Sequence, residues 1–594
     1  MPTPLPNWDM TPIFPSLESP EFQAAFDVAL AEIGDLAAKF DEFGVRRRDV
    51  PTVDADWIGE FETILNALNE LDEKLNTIGS YIGCFVTTDA KNEVAKSRQS
   101  QLETRTIVLG QLQTRLVAWI GSSDVEALLA GSQLARGHEY FVRRARYLEA
   151  HQMSESEENL ASSLAPMASS GWSKLHSQIS AMMTVKVPVE GQEKTLSMSE
   201  VRGLAGDPNR ETRKAAFEAE IKAWEGVAPT MAAALNGIKG FQRELRVRRG
   251  FADDVEPTLY GNSIDADTLK AMQDACVAFF PDFRRYMKLK ARALGIDNLA
   301  WYDLIAPIAT DDDSSWDWEE TEKFTEEQFG KYSEKMAKFA RRSFDEKWTD
   351  AGPRVGKVGG AYCTGTRPGE SRVLMNFDGS FTAVSTLAHE LGHAYHNLCM
   401  GERTPVQSST PMTLAETASI FCETLVFEGA VSKAEPKQRI ALLDNACSRN
   451  LQVVVDIHSR FLFEKSVFEK RGERDLTENE FSDLMTQAQV ETYGEELEPK
   501  HPYMWAVKGH YYGPRFYNYP YTFGLLLALG LYAIYEKQPE EFRAKYDEFL
   551  SMSGMADART LGQTFGFDVQ QREFWEGSLS IIRSQIDELE KLIG

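Results

Sequence analysis

Residues 386–396 read TLAHELGHAYH, which places three of the chain's nine histidines within eight positions around a single glutamate. An α-helix turns about 100° per residue, so His389 and His393 stand one turn apart on one face, where two imidazoles converge on a single ion. Glu390 lies about 100° round from His389, beside that ion, where a carboxylate accepts a proton from an attacking water. Composition alone produces this HExxH spacing in roughly 2% of chains of this length, so chance is a weak explanation. Gly392, inside the same helix, costs roughly 1 kcal/mol relative to alanine, which predicts that a neighbour, chain or substrate, comes close there. His396 is nearly on the face of His389 but two turns along, and it reads as structural support.

A catalytic zinc ion takes three protein ligands and keeps one position for water, so a third ligand must come from elsewhere. After the breaker-rich GERTPVQSST (401–410), Thr410 and Pro411 read as the N-cap and first position of a second helix that ends at Gly429. On it Glu416 and Glu423 are seven apart and share a face, and either one reaches a metal.

Working outward, GPRVGKVGGAYCTGTRPGESRVLMNFDG (352–379) has glycines around two short segments, GAYC and RVLMNF, and predicts a small sheet just before the histidine helix. GPRVGKV lacks the spacing of a phosphate loop. Residues 20–180 are helical in pattern: in FETILNALNELDEKLNTI (61–78), Phe61, Ile64, Leu65, Leu68, Leu71, Leu75 and Ile78 recur at steps of three and four. VKVPVEGQEKTLSM (185–198) predicts a hairpin, and DPNRETRKAAFEAE (207–220) opens a new helix with Asp207 as cap and Pro208 in its first turn. These breaks set a domain boundary near 190, giving an N-terminal helical lobe (1–190) and a catalytic domain (191–594). The acidic run 309–327 lacks the calcium-loop spacing and predicts a solvated turn leading into a helix.

With 594 residues, 43% hydrophobic and 26% charged, the chain reads as a soluble globular protein too long for one core. A net charge of −26 repels phosphate backbones and anionic lipid, which argues against nucleic acid and membrane partners. The short basic clusters Arg46 to Arg48 and Arg246 to Arg249 are followed by acids and read as solvated surface. Six cysteines without a CxxC pair make neither a disulfide framework nor a thiolate zinc site. The first residues lack a secretory pattern, and the apolar run YTFGLLLALGLYAIY (521–535) is shorter than the roughly 20 residues a bilayer requires. A cytoplasmic location is expected.

Four separated blocks carry a resemblance: GKVGGAYCTG (356–365) with VLMNF (373–377), HELGHAYH (389–396), ETASIFCE (416–423) and WAVKGHYYGPRFYNYPYTFG (505–524). Together they resemble the M3 family of zinc oligopeptidases, in particular its oligoendopeptidase F branch. The resemblance implies a mainly α, multi-helix zincin-type metallopeptidase with a deep substrate channel, walled on one side by the N-terminal helices, and a small β-sheet near the active site. It implies that Glu416 joins His389 and His393 on Zn2+, that Glu423 orients a histidine, and that His510, Tyr512 and Tyr519 stabilise the oxyanion. The implied activity is zinc-dependent hydrolysis of internal bonds in short peptide substrates; Glu390 then serves as its general base, and the GAYC and VLMNF strands are expected to pair with the substrate backbone as an edge strand does. Two alternatives stand beside it. A metallocarboxypeptidase on the same helix needs a cation for the substrate carboxylate, for which Arg367 or Arg515 is a candidate. A helical peptide-binding protein would use the zinc for structure only.

Overall fold

The 61–78 repeat lies inside one long helix, Ala55–Thr88, in a computed structural model that describes residues 4–189, 191–308 and 315–594. Asp54 starts this helix by accepting a hydrogen bond from the Trp57 backbone amide at 2.9 Å, satisfying one of the first-turn donors that have no intrahelical partner. Its stripe of Phe61, Ile64, Leu65, Leu71 and Ile78 is buried. Ile33, Leu36 and Phe40 of helix Pro20–Glu42, and Leu112, Leu116 and Trp119 of helix Glu93–Gly121, close one core over Phe61 to Leu71. Each aliphatic side chain buried in this way contributes about 1.5–3 kcal/mol.

The chain divides into two compact units: Met1–Asn159 with Ser314–Gly429 and Ile534–Gly566, and Leu160–Asp313 with Ala430–Ala533 and Phe567–Gly594. The architecture is mainly α, and the described residues hold two small sheets.

In the second unit the expected hairpin is present, with β1 (Thr184–Val189) antiparallel to β2 (Gln192–Ser197). The following helix, Arg210–Arg248, starts later than its sequence suggests. Its cap is Asn209, whose side chain accepts from the amides of Glu211 and Thr212, while Asp207 instead accepts from the Asn209 amide at 2.7 Å. That local turn places Pro208 ahead of the helix. Trp224, Met231, Leu235 and Ile238 from this helix pack with Phe463, Phe481, Trp505 and Tyr511 as the core of the unit. The apolar run 521–535 falls within helix Tyr519–Lys537, which is buried from Tyr519 through Tyr532 apart from Tyr521. Among the described residues no helix is long and apolar enough to cross a membrane.

In the first unit, the described end of the acidic run leads into helix Trp318–Tyr332, capped reciprocally by Asp317 and Glu320. Residues 309–314 of that run lie outside the described residues. Beyond it stand β3 (Thr349–Asp350), β4 (Tyr362–Arg367) and β5 (Glu370–Leu374) in the order β3-β5-β4, with β4 and β5 antiparallel. Gly369, at a φ of 70°, makes the tight turn between them, a conformation that glycine adopts without steric cost. β5 sits between two partners, which leaves β4 as a sheet edge. The histidine helix, Phe381–Cys399, follows, capped by Ser380 on the Ala383 amide.

Candidate metal centre and active site

The helix Phe381–Cys399 sets His389 and His393 on one face, their rings 4.9 Å apart. The second segment folds differently from its expectation. Pro411 is the N-cap of a single short turn, Met412–Ala415; the helix breaks at Glu416 (φ −88°, ψ 5°) and resumes as Thr417–Lys433, past Gly429. Gly429 is there for packing: a Cβ would stand 2.1 Å from the Gln328 side-chain oxygen. Gly392 shows the same logic more sharply, because a Cβ there would lie 2.5 Å from the carbonyl oxygen of Ala418 and the Cα of Ser419. The missing side chain is what lets the two helical segments touch, and it brings Glu416 across to the histidines.

Glu416 Oε2 lies 3.2 Å from His389 Nε2 and 3.4 Å from His393 Nε2. Zinc bonds of about 2.0–2.2 Å in tetrahedral directions put neighbouring ligand atoms about 3.3 Å apart, so this trio has the spacing such an ion demands. Among the described residues these three form the one group of His, Cys, Asp or Glu ligand atoms close enough to share a metal. Each side chain keeps about a quarter of its surface exposed (25%, 25% and 24%), so the site is open to water rather than sealed.

The other side of His389 is held by Glu423, whose Oε2 is 3.2 Å from Nδ1 and whose Oε1 accepts from Ser385 Oγ at 3.0 Å. A carboxylate at Nδ1 fixes the proton there and leaves the Nε2 lone pair for a cation. Ser419 Oγ donates to Glu416 Oε2 at 2.7 Å and steadies the third donor. Burial by itself would lower His389, but Glu416 and Glu423 raise it to about 10, and the two histidines hold Glu416 far below the usual carboxylate range against its own burial. Glu390 is buried at 6% exposure, and that burial raises its carboxyl above the ordinary value. His396 faces away, its Nε2 within 2.8 Å of Ser553 Oγ and 3.1 Å of the Leu550 carbonyl.

In the same unit, a cleft of about 1250 Å³ is lined by the whole of β4 and by Glu70, Glu73 and Asn76 of the helix Ala55–Thr88. β5, carrying VLMNF's first residues, has β3 and β4 on its two sides, so of the two expected substrate-pairing strands β4 alone offers an edge.

His510, Tyr512 and Tyr519 all belong to the second unit, in and after a single 3₁₀ turn, Gly509–Tyr512. His510 Nδ1 donates to Asn518 Oδ1 at 2.7 Å, an oxygen that also accepts from Arg460. Burial pushes its imidazole below the ordinary value, with the Asn518 contact opposing. The side chains gathered round His510 are Tyr517 and Tyr521, with ring centroids 5.1 and 6.3 Å away. Tyr512 and Tyr519, expected to share its role, have their hydroxyls occupied elsewhere. Tyr512 is stacked on His176 at 3.9 Å with its hydroxyl toward the Met231 carbonyl, and Tyr519 accepts from Asn262 at 3.1 Å and donates to Thr258. Burial pushes Tyr519 up to about 12 and Tyr512 well above the phenol range. Tyr521 donates to the Tyr517 oxygen at 3.3 Å, which leaves Tyr517 its own proton to give. The clustering of tyrosines, Tyr517 among them, is legible in the sequence, but which ring faces His510 is not, because no helical period runs through a segment that includes Phe516 at a φ of 48°.

The fold and the centre together are those of a helical metallopeptidase, and comparison with known proteins agrees. Residues 204–581, more than half of the chain, match Peptidase family M3, and residues 120–184 match Oligopeptidase F. The chain belongs to peptidase family M3 and is oligoendopeptidase F-like; it is a peptidase, and its family is one of metallopeptidases. An oligoendopeptidase F homolog of Lactococcus lactis is 25% identical over 472 residues, 78% of each chain. In fold, the chain is similar to a putative peptidase of Chlamydophila abortus (TM-score 0.82, 20% identity, 98% of each chain) and to oligoendopeptidase-F of Enterococcus faecium (TM-score 0.71, 18% identity, 96% of this chain and 99% of that one).

Proposed function

We propose that this protein is a zinc endopeptidase that cleaves internal bonds of short oligopeptides. The observation that carries the reading is the meeting of two imidazole nitrogens and one carboxylate oxygen, from separate helices, at tetrahedral spacing in an open site. His389, His393 and Glu416 hold the ion, and Glu423 orients His389. When bound, zinc supplies Lewis acidity toward the scissile carbonyl and makes water acidic near neutral pH.

Glu390 takes the proton of the attacking water and passes it to the leaving amine; its burial raises its carboxyl, which favours its holding that proton in between. His510 and Tyr517 oppose the charge that develops on the carbonyl oxygen, Tyr517 as the donor, while Tyr512 and Tyr519 support the segment that carries them. The β4 edge pairs with an extended substrate, and backbone pairing tolerates many side chains. The sequence division near 190 accords with family matches that stop at 184 and start again at 204, while the compact units of the fold first break after Asn159. Six free cysteines fit a cytoplasmic location.

The carboxypeptidase alternative is weakened because both candidate cations are engaged. Arg367 pairs with Glu370 through both carboxylate oxygens, and Arg515 donates to the Gln242 carbonyl at 2.6 Å and to Asp254. A purely structural zinc is disfavoured by three ligands in an open site, since structural sites are closed by four. The test measures zinc content and maps cleavage of peptides of increasing length, with free and amidated C-termini, with and without chelator. Internal cleavage that ignores the C-terminal cap and disappears with the metal is expected. Cleavage confined to free C-termini, or full activity without metal, overturns the proposal.

A further inference from the structure

Within the second unit there is a cavity of about 160 Å³ that no step of peptide hydrolysis uses. Phe217, Leu304, Ile305 and Leu451 give it apolar lining, and Arg202, Glu220, Asp456 and Lys508 bring charge to it. That volume is comparable to the ~150 Å³ that admits a benzene-sized guest.

The charges do not cancel evenly. Arg202 donates to Glu220 at 2.9 Å, Arg213 to Asp303 at 2.8 Å, and Asp456 accepts from Arg460 Nε at 2.9 Å. Lys508 is left over: among the described residues its ammonium has no hydrogen bond and no carboxylate within ion-pair distance. Burial, with Arg460 adding repulsion and the charges of Asp456 and Glu220 opposing, pushes it down to about 8. A second, independent feature points the same way. The chain lining the cavity between Leu451 and Ile457 is a π turn, Gln452–Asp456, an irregularity found often at functional sites, and it turns both Gln452 and Asp456 to the cavity. Thr522 Oγ1 donates to the Val453 carbonyl at 2.6 Å and holds the turn open. Behind Glu220, His501 is fully buried between Phe217 and Trp301 with neither ring nitrogen in a hydrogen bond, its Nε2 3.7 Å from Glu220 Oε1. The region is thus short of polar partners as it stands.

We propose that this cavity binds a free aliphatic amino acid, its carboxylate on Lys508, its ammonium at Glu220 and its side chain against Phe217 and Leu451. One unpaired cation selects a carboxylate, a nearby carboxylate accepts the ammonium, and the apolar lining with its limited volume restricts the side chain to valine-like size. The site lies apart from the metal ligands in sequence and chemistry, and its test reads binding rather than hydrolysis, so it stands or falls independently of the peptidase assignment.

Isothermal titration of the full chain with valine, valinamide and isovalerate tests it. Valine is expected to bind saturably with one site per chain, and the two analogues, each lacking one charge, to bind roughly 10- to 100-fold more weakly. Lys508→Met is expected to weaken valine by a similar factor, and Ala205→Phe, which fills the cavity from its wall, to abolish binding, with circular dichroism confirming the fold of each. Absence of saturable valine binding overturns the proposal, as does valinamide binding equally well. Unchanged affinity in either folded variant overturns it too. Should Lys508→Met not fold, the ligand series on the unaltered chain decides alone.

Discussion

The two chemistry-bearing regions of this chain differ in how their side chains are aimed. In residues 381–399 the histidines ride on regular helix: His389 and His393 share a face because helical geometry leaves them no alternative, and Gly392 admits the neighbouring segment, where Glu416 sits at a helix break and Glu423 on the helix that follows. In residues 509–518 a 3₁₀ turn, Pro514 and a left-handed Phe516 replace the helix, which resumes at Tyr519, and each ring points where the surrounding core allows. Phe516 packs on Phe461 and Phe468, Tyr512 on His176, and Tyr517 and Tyr521 come to His510. Helical spacing brings the metal-binding groups together in the first region and does not order the rings in the second.

The largest effect belongs to the helical region. Glu390→Gln is expected to lower kcat/KM on the order of 10³-fold while zinc content stays the same, checked by elemental analysis beside peptide cleavage. A variant that keeps its zinc and its rate refutes the base. In the irregular region, Tyr517→Phe is expected to cost about 10²-fold in kcat, and Tyr512→Phe less than about threefold. The reverse ranking would restore the sequence-based assignment and remove the contrast between the regions.

Back on the helix pair, Glu423→Gln should weaken zinc binding by about 10- to 100-fold in a competition titration, because the proton on His389 Nδ1 loses its carboxylate partner. Gly392→Ala should destabilise the fold by about 1–3 kcal/mol in chemical denaturation, since the added methyl meets backbone that has no room to give. An unchanged midpoint would mean that the close approach is not what this glycine supplies.

The smallest effect concerns pH and the second unit alone. Burial lowers His458, which packs edge-on against Phe280, to about 4 from the 6.5 expected when unfolded. A depressed imidazole favours the neutral form in the folded state. Its contribution is therefore whole above pH 6.5 and is lost as pH falls toward 4. His458→Phe should shift acid unfolding to lower pH by about half a unit and leave stability at pH 7.5 nearly unchanged, as followed by circular dichroism.

What the sequence determined by itself is what depends on local spacing. The HExxH face, the amphipathic helix through 61–78, the hairpin near 190 and the small sheet before the histidines all follow from periods of 3.6 or 2 and from glycine placement, which need no knowledge of distant residues. Periodicity leaves Glu416 and Glu423 on one face and the family resemblance alone favours Glu416; the tertiary structure sets the Glu416 carboxylate beside both histidines, because the break at Glu416 separates the two acids. It also decided which tyrosines meet His510 and that β4, not β5, is the free edge. Those outcomes depend on side chains and strands far apart in the chain competing for the same space, and local spacing carries no information about that competition.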